Sequence, residues 1–340
     1  MKAAVFTGRR KVQVRDVPVP RVREDEVLIK VKAVGICGTD IHIFKGEYFT
    51  EFPVIPGHEF SGVVEKAGKQ VRYFKEGDRV TADPNIFCES CYFCKRNLQN
   101  HCQNLRVIGV SGSQAQGAFA EYVAVPYKNV FALDKAVSFE QGAFVEPLAC
   151  IAHGMDMAQV RFGSEVLIVG AGPIGLLLLQ SLKAYGGSRV VVLDLDKKKL
   201  KTARELGADL ALQADGKEPA GIRGIAPHGF DYVIDATGIP RIVQESLGYL
   251  KKAGTYLLFG VCPKDSKITV NPYEIFLSDW KIVGSFAIRK NFSQSVNMLA
   301  SGKVKTEKLV SLRFPIEKFP ELLSLKMKRL DLMKVQIHFD

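Results

Sequence analysis

Up to about residue 131, apolar positions come in short runs such as 27–34 and 60–64, broken by Gly and Pro turns, and helical spacing is scarce. This pattern predicts a twisted β-rich zone with long loops. A helix is expected over 138–159, with Ser138 as its N-cap and Glu140 and Gln141 in its first turn. Continuous apolar runs then alternate with helical stretches. Strand 166–169 leads to helix 173–184, strand 190–193 to helix 197–206, and strand 230–234 to helix 242–250, before strands at 256–259 and 282–283. Wholly apolar strands separated by helices of this length predict a parallel sheet covered on both faces. Beyond Gly284 the pattern is mixed again and ends in a strand-like run at 335–339. The economical architecture is α/β plus β: a β-rich domain of residues 1–148 and 286–340, interrupted by a doubly wound parallel-sheet domain over 149–285.

Composition narrows the class. The 340 residues suffice for two domains with their own cores, and 47% hydrophobic with 24% charged residues is ordinary for a globular protein. No run of 18 apolar residues occurs, and the first segment reads as a strand rather than a signal peptide, so a cytoplasmic chain without a membrane partner is expected. The formal charge of +11 is scattered, and its densest run, Lys197, Lys198 and Lys199, opens a predicted helix as a solvated face. Nucleic acid is therefore not the expected partner, although the excess helps attract anionic ligands such as dinucleotides or sugar phosphates.

A glycine pattern supplies the first chemistry. Val169 is followed by Gly170-Ala171-Gly172-Pro173-Ile174-Gly175, a G-x-G-x-x-G between a predicted strand and a predicted helix. Gly170 permits the tight turn, Gly172 lets the backbone approach a pyrophosphate, and Gly175 lets the helix pack on the strand. The helix N-terminus offers N–H groups and a positive dipole end to phosphate. Asp194 lies nineteen residues past Gly175 at the end of the second strand, where a carboxylate accepts from ribose hydroxyls and repels a 2′-phosphate, favouring NAD over NADP. Thr237, in Asp235-Ala236-Thr237-Gly238, ends a later strand on the same edge and is placed to border the nicotinamide. A plain strand-end turn is the alternative.

Cysteines supply the second. Seven are present, an odd number that argues against a disulfide framework, and four follow the spacing Cys88-x2-Cys91-x2-Cys94-x7-Cys102. That spacing fits tetrahedral Zn²⁺ held by four thiolates, a closed structural site; an iron–sulfur cluster is the alternative. A second, open site is suggested by Gly35-Ile36-Cys37-Gly38-Thr39-Asp40-Ile41-His42, Gly57-His58-Glu59 and Glu146 in Val145-Glu146-Pro147-Leu148. One thiolate, one imidazole and one carboxylate can hold zinc and leave a position for water or an alcohol oxygen. Singly, each has a plainer reading: Cys37 as a small buried hydrophobe, His58 as a turn histidine, Glu146 as a helix acid.

Taken in order, these segments resemble the zinc-containing medium-chain alcohol dehydrogenase family over essentially the whole chain. Within it they resemble most the polyol branch of sorbitol, arabinitol and galactitol-phosphate dehydrogenases. The resemblance implies a GroES-like catalytic domain with an inserted Rossmann domain and a cleft between them. It implies two zinc ions per chain, one catalytic and one structural, with NAD as cofactor, a small-molecule alcohol or polyol as substrate, and a homo-oligomer (dimer or tetramer). Carried over by position, Cys37 and His58 are zinc ligands. Glu59 and Glu146 supply the carboxylate ligand or orient a bound water, and which of them is inner-sphere stays open. Asp40 matches an acid that holds the ligand histidine, and Thr39 and His42 match a proton relay. Gly38 departs from the family habit of a basic pyrophosphate contact after the first ligand; Lys199, five residues past Asp194, is a candidate basic contact near the adenosine instead. L-Threonine 3-dehydrogenase is the alternative activity, although Glu146-Pro147-Leu148-Ala149-Cys150 resembles the polyol group more closely. Readings from other classes are a zinc-module nucleic-acid binder, which gives the glycine turn no role, and a non-catalytic NAD-binding structural or sensor protein, which needs no open zinc site.

Overall fold

The strand Glu26–Gly35 is apolar along most of its length because it is covered on both faces. Val27, Ile29, Val31 and Val34 are fully buried there. In the computed structural model, which describes residues 1–48, 50–186, 189–216, 218–329 and 331–340, this strand is the spine of a seven-stranded sheet. One edge pairs antiparallel with Glu59–Ala67; the other is shared, its first half by Tyr122–Pro126 and its last residues by Lys334–His338. The sheet continues through Arg79–Ala82 to Val130–Ala132 on one side and Val310–Phe314 on the other.

The register carries function. Gly35 at the end of the spine stands opposite Glu59 on one side and Gln336 on the other. Cys37, Glu59 and the C-terminal strand thus meet at one end of the sheet. Directly after the spine comes a helix the sequence pattern did not suggest, Gly38–Lys45, stopped by Gly46 at φ +75°, whose N–H reaches the carbonyls of His42 and Ile43.

The chain divides into two compact units. The β-rich unit comprises Met1–Ala149, Ile288–Gly302 and Leu309–Asp340, and the α/β unit Cys150–Ala287 and Lys303–Lys308. The short return to the α/β unit is fixed by a reciprocal pair: Gln180 Nε2 donates to the Lys305 carbonyl and Lys305 N–H donates to Gln180 Oε1. The helix expected over 138–159 is two helices, Phe139–Gly142 and Val145–Ala158. Ser138 caps the first through a reciprocal pair with Gln141. Pro147 explains the break: its ring has no N–H to give the Ala143 carbonyl and would clash with it in a continuous helix, but is tolerated in a first turn.

In the α/β unit six parallel strands run in the order Leu210–Gln213, Arg189–Asp194, Glu165–Val169, Phe230–Asp235, Leu250–Leu258, Lys281–Gly284. The strand Leu210–Gln213 and the helix Glu218–Ile225 after it were not in the sequence expectation. From Glu165–Val169 the chain builds outward to one side and then, from Phe230–Asp235, to the other. The turns after these two central strands therefore face the switch point where open α/β sheets bind ligands.

C-terminal residues close the β-rich core. Phe319, at the head of helix Phe319–Lys328, is fully buried, with its ring 4.5 Å from Phe119 and 6.1 Å from Phe6. Phe319→Ala should cost about 3–5 kcal/mol in urea unfolding. A loss under about 1 kcal/mol would show that this helix is peripheral to the core.

Candidate active site and zinc knuckle

Cys37 lies two residues past the end of the spine and caps the helix Gly38–Lys45. Its backbone N–H donates to Asp40 Oδ2 at 2.8 Å, so an acid in the first helical turn fixes where the thiol points. The other Asp40 oxygen lies 3.7 Å from His58 Nδ1, just outside hydrogen-bond reach, and both atoms are buried with no other partner. An Nδ1–H directed at Asp40 leaves Nε2 as the ring's metal-binding atom. Ligand atoms of Cys37, His58 and Glu59 all lie within 4.8 Å of one another, and Glu146 is not in that group. Burial disfavours a charged imidazole at His58, but Asp40 and Cys37 outweigh it and raise its pKa well above the usual histidine value. Three donors of mixed type around one point fit a zinc ion with a free coordination position.

Glu59 is 1% exposed and its carboxylate needs a counter-charge. Lys334 supplies it: Nζ lies 2.8 Å from Oε1 and 2.7 Å from Oε2. Burial works against the ammonium, and Glu59 more than restores it, so the Lys334 pKa is raised. Gly35 makes room, since a Cβ there would stand 2.4 Å from Glu59 Oε2. Glu146 sits in the first turn of Val145–Ala158. Burial pushes its carboxyl up to about 7, partly countered by His58 and reinforced by Glu59 and Asp83. Asp83 is itself pushed up to about 6 by burial, while Asn85 donates to it through both backbone and side chain.

Thr39 lies two residues past Cys37, with Cys37 Sγ 3.7 Å from its hydroxyl. His42 is one turn further along the same helix face, and its Nδ1 is 2.8 Å from Glu47 Oε2. The structure thus adds Glu47 to the pair expected as a relay.

The four cysteines form a separate group at the tip of a ribbon whose neck is the antiparallel pair Asn85–Ile86 and Arg106–Val107. Cys102 Sγ is 3.4 Å from Cys88 Sγ and 4.0 Å from Cys91 Sγ. Four sulfurs about 2.3 Å from one zinc stand about 3.8 Å apart, so this spacing suits a single tetrahedral ion and is too tight for sulfurs on separate irons of a cluster. Backbone N–H groups of Ser90 and Cys91 lower the Cys88 thiol to about 5, whereas burial pushes Cys94 up to about 12.

In the α/β unit the glycine turn has the shape its spacing predicts. Gly170 has φ +106°, and a Cβ on Gly175 would stand 1.8 Å from the Gly170 carbonyl oxygen, while nothing lies within 4 Å of a Cβ on Gly172. That open side leaves room for a ligand to approach the backbone, above the helix that Pro173 begins and Ile174 continues. Asp194 Oδ2 accepts from Ala171 N–H at 2.6 Å and Oδ1 from Asp196 N–H at 2.8 Å, which ties the carboxylate to the glycine turn. Thr237 abuts Gly170, and its N–H and hydroxyl both donate to the buried Asp235. Lys199 is half-buried on the helix Lys197–Glu205.

Besides Glu47 and Asp83, three residues escaped the sequence reading. Lys334 opens a strand buried on both faces, sharing one face with Gln336 while Val335 and Ile337 occupy the other. Leu195 and Ile239, 74% and 51% exposed, follow the ends of the strands Arg189–Asp194 and Phe230–Asp235 and offer apolar surface to a planar base.

Residues 23–135 match the alcohol dehydrogenase GroES-like domain and residues 173–301 the zinc-binding dehydrogenase family. D-arabinitol dehydrogenase 1 of Uromyces fabae is 39% identical over 342 residues, covering 99% of this chain and 97% of its own. A zinc-binding dehydrogenase from Sinorhizobium meliloti 1021, solved bound to NADP, is 34% identical with a TM-score of 0.94 and 99% coverage of both chains. An alcohol dehydrogenase from Escherichia coli CFT073, solved with NADH, is 30% identical with a TM-score of 0.92, covering 100% of this chain and 99% of its own. Family matches on both units, a thiolate–imidazole–carboxylate trio and a glycine turn converge on one conclusion: the chain belongs to the zinc-binding medium-chain dehydrogenases, in their polyol dehydrogenase branch.

Proposed function

We propose that this enzyme moves hydride between the secondary alcohol carbon of a polyol or sugar-alcohol phosphate and NAD, with one catalytic and one structural zinc per chain. The observation that carries the reading is the three-membered donor group of Cys37, His58 and Glu59, which leaves a coordination position free, beside a four-cysteine group that leaves none. Glu59 is the carboxylate we assign to the first group, because Glu146 lies outside it. Bound there, zinc supplies Lewis acidity that makes an alcohol easier to ionise.

The protein's own groups do the rest. Asp40 holds both Cys37 and His58 in place. Thr39 takes the alcohol proton and passes it along the helix to His42, whose contact with Glu47 delivers it toward solvent. Glu146, with a carboxyl poised near neutrality, orients the substrate oxygen or its displaced water. In the α/β unit the turn from Gly170 to Gly175 takes the pyrophosphate. Asp194, held by two backbone N–H groups, presents its remaining lone pairs to the ribose hydroxyls. Relatives are solved with NADP and with NADH, so the preference for NAD rests on that carboxylate; Lys199 is the basic group we place near the adenosine and Thr237 the one near the nicotinamide. Among the described residues no helix is long and apolar enough to cross a membrane. A cytoplasmic location suits a knuckle of four free thiols.

A homo-oligomer is part of the same proposal. The strand Lys281–Gly284 is paired on one side only, at the edge of its sheet, and beside it in sequence the helix Pro272–Ser278 has no buried residue although it carries Tyr273, Phe276 and Leu277. An open edge flanked by exposed apolar side chains suits pairing with a second copy.

Protein purified without chelator should hold two zinc ions per chain and oxidise members of a panel of sorbitol, arabinitol and phosphorylated polyols, in preference to threonine. Cys37→Ser should lose one zinc and turnover while keeping NAD binding and the second zinc; full activity in that variant would refute the open-site assignment. Lys334→Met leaves the Glu59 carboxylate buried alone and should cost about 3–5 kcal/mol in metal-free protein, with a smaller loss once zinc is bound. An equal loss in both forms would detach Lys334 from the metal site. Sedimentation should show Ile282→Lys combined with Phe276→Lys shifting the protein to smaller species, and an unchanged oligomer would place the interface elsewhere.

A further inference from the structure

One cavity of the β-rich unit lies away from both metal groups. Its volume is about 610 Å³, within the range of small-molecule sites, and its lining includes none of Cys37, His58, Glu59, Glu146 or the four knuckle cysteines. Its back wall is apolar and fixed: Val54, Ile55 and Ile108 are buried, Val54 bridges to Phe6, and Ile55 N–H is held by the Gln116 side chain. One flank is the strap through Pro18 and Pro20, whose rings fix the backbone φ there.

The charged lining is unbalanced. Arg15, Arg21, Arg23 and Arg106 face Asp25 and Glu26 as the only carboxylates in the lining. Glu26 is engaged by Arg23, through its backbone N–H at 3.0 Å and its guanidinium at 3.8 Å. Arg15, Arg21 and Arg106 have no hydrogen bond or ion pair from their side chains among the described residues. Three uncompensated guanidiniums over an apolar floor are suited to an oxyanion carried on a compact carbon body. Guanidinium forks match phosphate oxygens in pairs.

We infer that this cavity is a second small-molecule site for a small phosphate monoester, with Arg15, Arg21 and Arg106 gripping the phosphoryl group and the valine–isoleucine wall lying against the carbon chain. Its position gives it mechanical reach. Residues 53–55 run directly into Gly57-His58-Glu59, and Arg106 pairs with Ile86 at the neck of the four-cysteine ribbon. A bound phosphate ester braces both segments, so occupancy raises the stability of the β-rich unit.

Calorimetry and thermal melting at constant ionic strength test this with sorbitol 6-phosphate, inorganic phosphate and sorbitol as probes, on the zinc-loaded enzyme. The expected result is saturable binding of sorbitol 6-phosphate at a site that persists in Cys37→Ser, weaker binding of phosphate, and none of sorbitol at that site. Arg15→Gln with Arg106→Gln removes two guanidiniums and should weaken it about a hundredfold, about tenfold for each charge-assisted hydrogen bond lost. Because Arg106 is half-buried in the ribbon neck, the exposed pair Arg15→Gln with Arg21→Gln is the second variant, and it should weaken binding without changing the melting temperature of the unliganded protein. Three outcomes would overturn the inference: no saturable binding, as when a second copy seals the cavity; binding lost in Cys37→Ser but kept in both arginine variants, which puts the ester at the zinc site; or an effect that chloride reproduces at equal ionic strength.

Discussion

The buried ion pair between Glu59 and Lys334 is the constraint from which much of the β-rich unit follows. A carboxylate this enclosed is stabilised by a counter-charge, and the ammonium that meets both its oxygens lies 275 residues further along the chain. The C-terminal strand must therefore return to the end of the spine, and it pairs there with Ala33 to Gly35. Its return brings the helix Phe319–Lys328 onto the core, where Phe319 fills space between Phe6 and Phe119. A glycine at position 35 is required because the carboxylate occupies the volume of a Cβ. An electrostatic demand at one point thus sets the path of the last segment and the identity of a residue in the spine.

Much of this was legible in the sequence because it is local. The glycine turn is a matter of spacing, and the structure gives Gly170, Gly172 and Gly175 the three different environments that spacing assigns them. The four cysteines lie within fifteen residues, and parallel strands announce themselves by unbroken apolar runs. What was not legible is set by contacts distant in sequence or by geometry that periodicity hides. Helix Gly38–Lys45 has an apolar side too weak to show, and it exists because Asp40 and the preceding strand fix its start. Pro147 was visible, but within an apolar stretch its meaning as a helix restart depends on the turn before it. Lys334 looked like any strand lysine until the register placed it beside Glu59. Both members of the open-site pair left undecided by sequence, Glu59 and Glu146, are acids near histidine. Only distance separates them, since one lies inside the 4.8 Å group and the other outside it.

Donor sets separate the two metal groups. Cys37, His58 and Glu59 offer three ligand atoms of mixed type, and an ion bound among them would keep a coordination position free. Four cysteines would close the other group around an ion of its own. Lys334 ties the first group to the fold: its ammonium meets both oxygens of the buried Glu59, so the carboxylate is held in place and its charge is balanced before any cation arrives. The lysine that opens the C-terminal strand beside the spine is thus also the one that positions an acid of the open group.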